Sequence, residues 1–268
     1  MEQPTPNSIP LRAGTVPHAG EGGVCVPWLE PLVQKTPAPR GAVIVCPGGG
    51  YCNRAEHEGT PIAQEFVKAG MQAFVLQYRV SPSRHPEPIR DAARAIRMVR
   101  ARAQEWNILP DHIAILGFSA GGHLCASAGI LADHACTREG DALDSISSRP
   151  DAMIPCYPVL SNDPAVAHMG SFQNLLGDKP APELLRLLCL EEQVNSRTPP
   201  TFLWHTADDG AVPVENSLRL ATALRKNKIP FELHVYPKGA HGLGLATGDK
   251  HIATWMPLCI EWLRGMGW

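Results

Sequence analysis

The chain of 268 residues carries 24 Lys and Arg against 26 Asp and Glu, a formal net charge of -2, and 44% of it is hydrophobic. That length suits one domain around a single core, and the scattered basic residues leave no footprint for nucleic acid or anionic lipid. No apolar run approaches the ~20 residues that span a bilayer, so no membrane contact is expected.

Met1–Pro10 holds Glu2, three prolines and one large aliphatic residue, which is not the basic start and apolar run of a secretory signal; a cytoplasmic protein is the expectation. The eight cysteines show no C-x-x-C spacing, and several fall in apolar runs, so they are expected to be reduced, buried small hydrophobes. Residues 1–40 are rich in Pro and Gly without a sustained period. They predict an irregular lead-in with one short edge strand near Val24–Trp28.

From Gly41 the pattern changes. Four short runs rich in Val, Ile and Phe, at Ala42–Cys46, Ala73–Tyr78, Ile113–Gly117 and Met153–Tyr157, alternate with longer helical stretches, which signals βαβ units and a parallel sheet. Thr60–Ala69 reads as a helix with a Thr cap, Pro61 at its first position and Gly70 at its end. Glu87–Trp106 places Ile89, Ala92, Ala93, Ile96, Val99, Arg100 and Ala103 on one stripe, leaving Arg90, Arg94 and Arg97 as a solvated face. Residues 161–200 interrupt the rhythm with prolines and glycines around a Leu-rich helix at Pro182–Leu190, an insertion over the sheet and a small lid. Strands at Phe202–Thr206 and Phe231–Tyr236, a helix at Val214–Lys226 and a last helix from about Lys250 to Arg264 complete the reading. The predicted architecture is a single-domain α/β-hydrolase fold over residues 41–268. It has a mostly parallel central sheet with helices on both faces.

Gly117-Phe118-Ser119-Ala120-Gly121-Gly122 follows the strand ending at Leu116 and precedes a small-residue helix, His123–Ala132. Strand, glycine-flanked Ser and helix form the context of a nucleophile elbow, where only minimal side chains fit two places before and after the Ser. The plain alternative is a Ser that caps a helix in a tight turn. A serine hydroxyl is a poor nucleophile at neutral pH and needs a base, itself oriented by an acid. In this fold the chain order is Ser, acid, His. Asp208-Asp209 after one late strand and His241 in Gly239-Ala240-His241-Gly242 after the next satisfy it. The alternative for His241 is a loop histidine among flexible glycines. Acyl transfer also needs donors at the developing oxyanion. Pro47-Gly48-Gly49-Gly50 after the first strand offers the N–H groups of Gly49 and Gly50, and the elbow offers that of Ala120. A phosphate-binding reading of this loop lacks the G-x-G-x-x-G or lysine-containing pattern.

Taken with His57-Glu58-Gly59 and Gln77-Tyr78-Arg79-Val80, the motifs Pro47-Gly48-Gly49-Gly50-Tyr51, Gly117-Phe118-Ser119-Ala120-Gly121-Gly122-His123-Leu124, Thr206-Ala207-Asp208-Asp209 and Gly239-Ala240-His241-Gly242 resemble the acetylxylan-esterase-like branch of the α/β-hydrolases, from about residue 41 to the end. The resemblance implies a serine carboxylic-ester hydrolase acting on small acetylated sugars or xylo-oligosaccharides, with Ser119, Asp209 and His241 as triad and Tyr51 at the substrate. Between the adjacent carboxylates, similarity to hydrolases with an H-G-x-x-D-x-x-V-P pattern favours Asp209, leaving Asp208 to cap the turn and His205 to the core or loop. Pro47 stands where hormone-sensitive-lipase-like enzymes carry His. No metal or organic cofactor is implied, and the expected partner is a small-molecule ester. A dienelactone-hydrolase-like or peptidase-like enzyme on the same triad is the second reading. A non-catalytic small-ligand-binding protein is a third, whose mark would be a missing triad member.

Overall fold

The computed structural model describes residues 4–12 and 26–268. In chain order the elements are β1 (Ile9–Pro10), β2 (Trp28–Leu32), β3 (Arg40–Cys46), α1 (Thr60–Lys68), β4 (Gln72–Gln77), α2 (Glu87–Ala101), β5 (Ile108–Phe118), α3 (Ala120–Ile130), β6 (Ala152–Cys156), α4 (Met169–Leu176), α5 (Pro182–Leu187), β7 (Thr201–Thr206), α6 (Glu215–Lys226), β8 (Phe231–Tyr236) and α7 (Trp255–Gly265). The eight strands form one sheet in the order β1-β2-β4-β3-β5-β6-β7-β8. β1, β2 and β4 pair antiparallel, and every other pair is parallel.

Strand β3 is buried from Gly41 onward, which is why it reads as a continuous apolar run and not as an alternating one. The period-2 geometry of a strand then divides its side chains between two cores. Ala42, Ile44 and Cys46 face α2, α3 and α6 through residues such as Ile96, Leu124 and Leu220. Val43 and Val45 face α1 and α7 through Phe66, Trp255 and Leu263. Helix α3 is buried along its whole length, so its small residues are a requirement of close packing on the sheet. Among the described residues no helix is long and apolar enough to cross a membrane.

The chain leaves β3 toward β4 on one side and places β5 on the other, so the order reverses between β3 and β5. In open α/β sheets ligands bind beyond the carboxyl ends of the strands at such a reversal. Register sets the spacing there: Cys46 is opposite Gly117, which brings the glycine loop after β3 beside the turn after β5.

Two expectations change. Residues 1–40 are not merely an irregular lead-in: β1 and β2 extend the sheet, and β2 lies between β1 and β4 instead of at an edge. The predicted edge strand starts at Trp28, and Val24 and Cys25 lie outside the described residues. The Arg90, Arg94 and Arg97 series is not a solvated face either. Arg94 and Arg12 both reach Glu139, Arg12 also pairs with buried Asp91 at 2.7 Å, and Arg97 donates to the Thr137 carbonyl at 2.7 Å. Helical periodicity could not anticipate the 131–151 connection that folds over this face and needs donors for its carbonyls. Boundaries also shift. α2 stops at Ala101, α3 begins at Ala120, α5 stops at Leu187 and α7 starts at Trp255 after a short 3-10 turn. Of the seven described cysteines, all free, Cys52 is exposed and Cys136 half-buried, against the expectation of uniform burial.

Candidate active site

The turn between β5 and α3 holds Ser119 at φ 53°, ψ -116°, a conformation that L-residues avoid. The turn is tight enough to demand its glycines. A Cβ on Gly117 would lie 1.9 Å from the Gly121 carbonyl oxygen, and one on Gly121 would lie 2.2 Å from that of Cys46. The Ser119 N–H donates to the Cys156 carbonyl at 3.0 Å and its carbonyl accepts from Val159 N–H at 3.1 Å, so β6 fixes the turn from the other side.

His241 stands in the loop between β8 and α7. Its Nε2 is 2.8 Å from Ser119 Oγ, and its Nδ1 is 2.7 Å from Asp209 Oδ2. Asp209 is a carboxylate acceptor, so Nδ1 carries the proton and Nε2 accepts from the serine hydroxyl. Asp209 Oδ1 takes the N–H groups of Ala211 and Val212, both at 2.9 Å. Burial by itself would raise the Asp209 pKa, but hydrogen bonds from His205, His241 and the two N–H groups outweigh it and hold the carboxyl far below the usual carboxylate range. The carboxylate is thus ionised whenever the imidazole beside it needs a counter-charge. Asp208 accepts the Gly239 N–H at 2.7 Å and does not face the imidazole, so the choice between the two carboxylates is decided by geometry. His205 is fully buried, with Nε2 donating to the Val212 carbonyl at 3.0 Å and lying 3.4 Å from Asp209 Oδ2.

The His241 loop is glycine-rich, and each of its glycines is held. Gly239 N–H donates to Asp208, the Gly242 carbonyl accepts from His57 Nε2 at 2.8 Å, and Gly244 N–H donates to the Tyr157 hydroxyl at 2.9 Å. The Tyr157 ring meets the His241 ring edge-on at 5.1 Å between centroids, which limits its tilt.

Opposite lies the loop Pro47–Gly50, with Gly49 at φ 124° and Gly50 at φ 62°. Gly48 N–H donates to Glu58 Oε2 at 2.8 Å, and the Gly50 carbonyl accepts from Asn174 Nδ2 at 2.8 Å. Ala120 opens α3, where the first N–H groups have no intrahelical acceptor and the helix dipole favours negative charge. Gly49 and Gly50 line, with Ser119, a cavity of about 270 Å³. The rest of its wall is Gly242, Ala55, Glu58 and three imidazoles, those of His57, His168 and His241. A larger open groove of about 550 Å³, between Glu191 and Asn227, contains none of these residues.

Tyr51 requires a correction. Instead of facing a substrate, its side chain is 2% exposed and its hydroxyl lies 2.8 Å from His123 Nδ1, while His123 Nε2 donates to the Leu188 carbonyl at 3.0 Å. A large half-polar ring next to three glycines gains more from burial than from the cavity, and it anchors the glycine loop to α3. Residues of this site not assigned a role from sequence include His57, Glu58, Tyr157, His168 and Asn174. Glu58 lies inside the His57-Glu58-Gly59 motif, a visible signal. Tyr157 ends an apolar run, and His168 and Asn174 belong to the insertion, where spacing carries no information about what they reach. Among the described residues no group of three or more His, Cys, Asp or Glu is placed to hold a metal ion.

The array has what acyl transfer requires of a nucleophile: a hydroxyl on a base and the base on an ionised acid, beside a glycine loop that lines the same cavity. The BD-FAE family model matches residues 30–224, and that of the prolyl oligopeptidase family matches residues 185–265. The chain is 41% identical over 234 residues to endo-1,4-beta-xylanase B of Butyrivibrio fibrisolvens, an alignment covering 86% of this chain and 36% of that protein. It is 33% identical over 240 residues to the acetylxylan esterase of Xylanibacter ruminicola, covering 88% and 47%. It therefore spans between about a third and a half of the length of these relatives. Among solved structures, the acetyl ester-xyloside bifunctional hydrolase from Caldicellulosiruptor lactoaceticus superposes with a TM-score of 0.92 at 45% identity, over 97% of this chain and 96% of that one.

Proposed function

This chain belongs to the BD-FAE family within the α/β-hydrolases, and from that premise we propose that it is a serine carboxylic-ester hydrolase that removes acetyl groups from small acetylated sugars or xylo-oligosaccharides. The observation that carries the reading is the continuous hydrogen-bonded line Ser119–His241–Asp209 beside the glycine loop. Ser119 Oγ attacks the ester carbonyl as His241 Nε2 takes its proton. Asp209 stabilises the imidazolium, and the N–H groups of Gly49, Gly50 and Ala120 receive the oxyanion. His241 then protonates the departing alcohol, and water, activated by the same imidazole, releases acetate from Ser119.

Relatives named for both xylanase and esterase activities raise the question of which chemistry this site fits. Glycoside hydrolysis uses two carboxyl groups flanking the sugar acetal. The cavity wall here includes one, Glu58, whose oxygens are taken by Gly48 N–H and the Tyr157 hydroxyl. The ester is the substrate this arrangement favours. The prolyl oligopeptidase match covers Asp209 and His241 and supports a shared scaffold, with a peptidase as the second reading.

The test is Ser119→Ala, assayed on p-nitrophenyl acetate, acetylated xylo-oligosaccharides and an aminoacyl p-nitroanilide. Loss of ester turnover by at least about 10³-fold, with folding kept, is expected. Full residual activity in the variant would refute the assignment, and wild-type preference for the anilide would favour the peptidase. Failure of a fluorophosphonate probe to label Ser119 would favour a non-catalytic binding protein.

A further inference from the structure

His168 comes from the insertion between β6 and β7, and acyl transfer leaves it without a role. Its Nδ1 accepts the Ser171 backbone N–H at 3.3 Å and lies 2.9 Å from the Ser171 hydroxyl, capping α4. A ring nitrogen that accepts from a backbone N–H carries no proton, so the neutral imidazole holds its proton on Nε2. Burial, with repulsion from His241 second, lowers the His168 pKa and keeps the ring neutral at pH 7. The cap consumes the acceptor. The remaining Nε2–H has no protein acceptor among the described residues, and the ring forms part of the cavity wall beside Ser119 and His241.

The rest of that wall is built from small residues, two further imidazoles and one carboxylate, with no Leu, Ile, Phe, Trp or Met in it. The surface they turn to the cavity is mostly carbon, so a free N–H there is the feature an alkyl group cannot use. A group bearing hydroxyls would find a donor whose direction is set by the cap. We propose that His168 Nε2–H is a specificity-determining donor that binds a hydroxyl oxygen of the carbohydrate carrying the ester, an inference that rests on the esterase reading above. The insertion then selects the alcohol, while the elbow and glycine loop act on the acyl carbon.

The comparison is between methyl xyloside monoacetate and cyclohexyl acetate, which present a similar six-membered ring with and without hydroxyls. In His168→Ser the serine keeps an oxygen for the α4 cap and removes the imidazole. The expected result is a ratio of kcat/KM, xyloside over cyclohexyl ester, about tenfold lower than in the wild type, the worth of one neutral hydrogen bond. An unchanged ratio overturns the proposal, whether both rates hold or both fall together. Should the serine variant not fold, as judged by circular dichroism, His168→Thr carries the same comparison with a hydroxyl oxygen at the cap and no N–H in the side chain. A wild type that favours cyclohexyl acetate also overturns it. A wild type inactive on both esters and on p-nitrophenyl acetate instead removes the esterase reading on which it stands.

Discussion

The Tyr157 hydroxyl donates to Glu58 Oε1 at 2.6 Å while accepting the Gly244 N–H at 2.9 Å, and Glu58 Oε2 accepts the Gly48 N–H at 2.8 Å. One buried phenol and one buried carboxylate thereby tie the glycine loop after β3 to the His241 loop after β8, across the mouth of the sheet. Burial and the neighbouring Glu58 push the Tyr157 pKa well up, so the phenol stays a donor at any working pH.

Tyr157→Phe removes that tie and leaves a buried carboxylate oxygen and an N–H unpaired. A loss of about 1–3 kcal/mol in stability follows from unsatisfied buried groups. The loosened His241 loop should also lower kcat by roughly tenfold or more, with a smaller change in KM, because misplacement acts on the reacting geometry. Urea unfolding and steady-state kinetics on p-nitrophenyl acetate check both, and a variant equal to wild type in each would deny the tie any role.

The two adjacent carboxylates separate cleanly by mutation. Asp209→Asn loses the acceptor that holds the Nδ1 proton of His241 and should cut kcat on the order of 10⁴-fold, as expected for a wrong tautomer. Asp208→Asn retains an oxygen for Gly239 N–H and should cost less than about tenfold. Equal losses in the two variants would contradict the geometry.

Gly121→Ala tests the steric claim about the elbow. The added Cβ would lie 2.2 Å from the Cys46 carbonyl oxygen and 2.5 Å from that of Pro47, both backbone atoms that cannot swing away. Overpacking of this kind costs typically about 1–3 kcal/mol and displaces the turn. Thermal unfolding should show a lower midpoint, and ester turnover should fall with it.

Acid should destabilise the fold through two histidines. Burial lowers the His123 pKa to about 4, partly offset by its bond to the Leu188 carbonyl, and burial with His123 nearby lowers His85 to about 4. The unfolded chain takes up these protons near the ordinary value of about 6.5, and the native state does so only near 4. Stability is therefore complete above about 6.5 and falls as pH drops through the window to about 4, by up to about 1.4 kcal/mol per pH unit for each ring. Urea denaturation at pH 7 and pH 5 measures this, and His123→Gln should flatten the slope by about half of that histidine contribution. A slope unaltered by the substitution would show that His123 is not the group responsible.

Local sequence determined the elements that close within a few residues. The continuous apolar run of β3, the glycines around Ser119 and the order Ser119, Asp209, His241 follow from strand burial, turn sterics and connection order, all of which act along the chain. Only the tertiary structure decided what those residues meet. Tyr51 turned inward onto His123, the Arg94 and Arg97 side chains closed on a loop forty residues away, and Glu58 joined two loops that the chain separates by nearly two hundred positions. Side-chain partners across loops depend on where the sheet places their backbones, and register, unlike periodicity, leaves no mark on the spacing of residues in between.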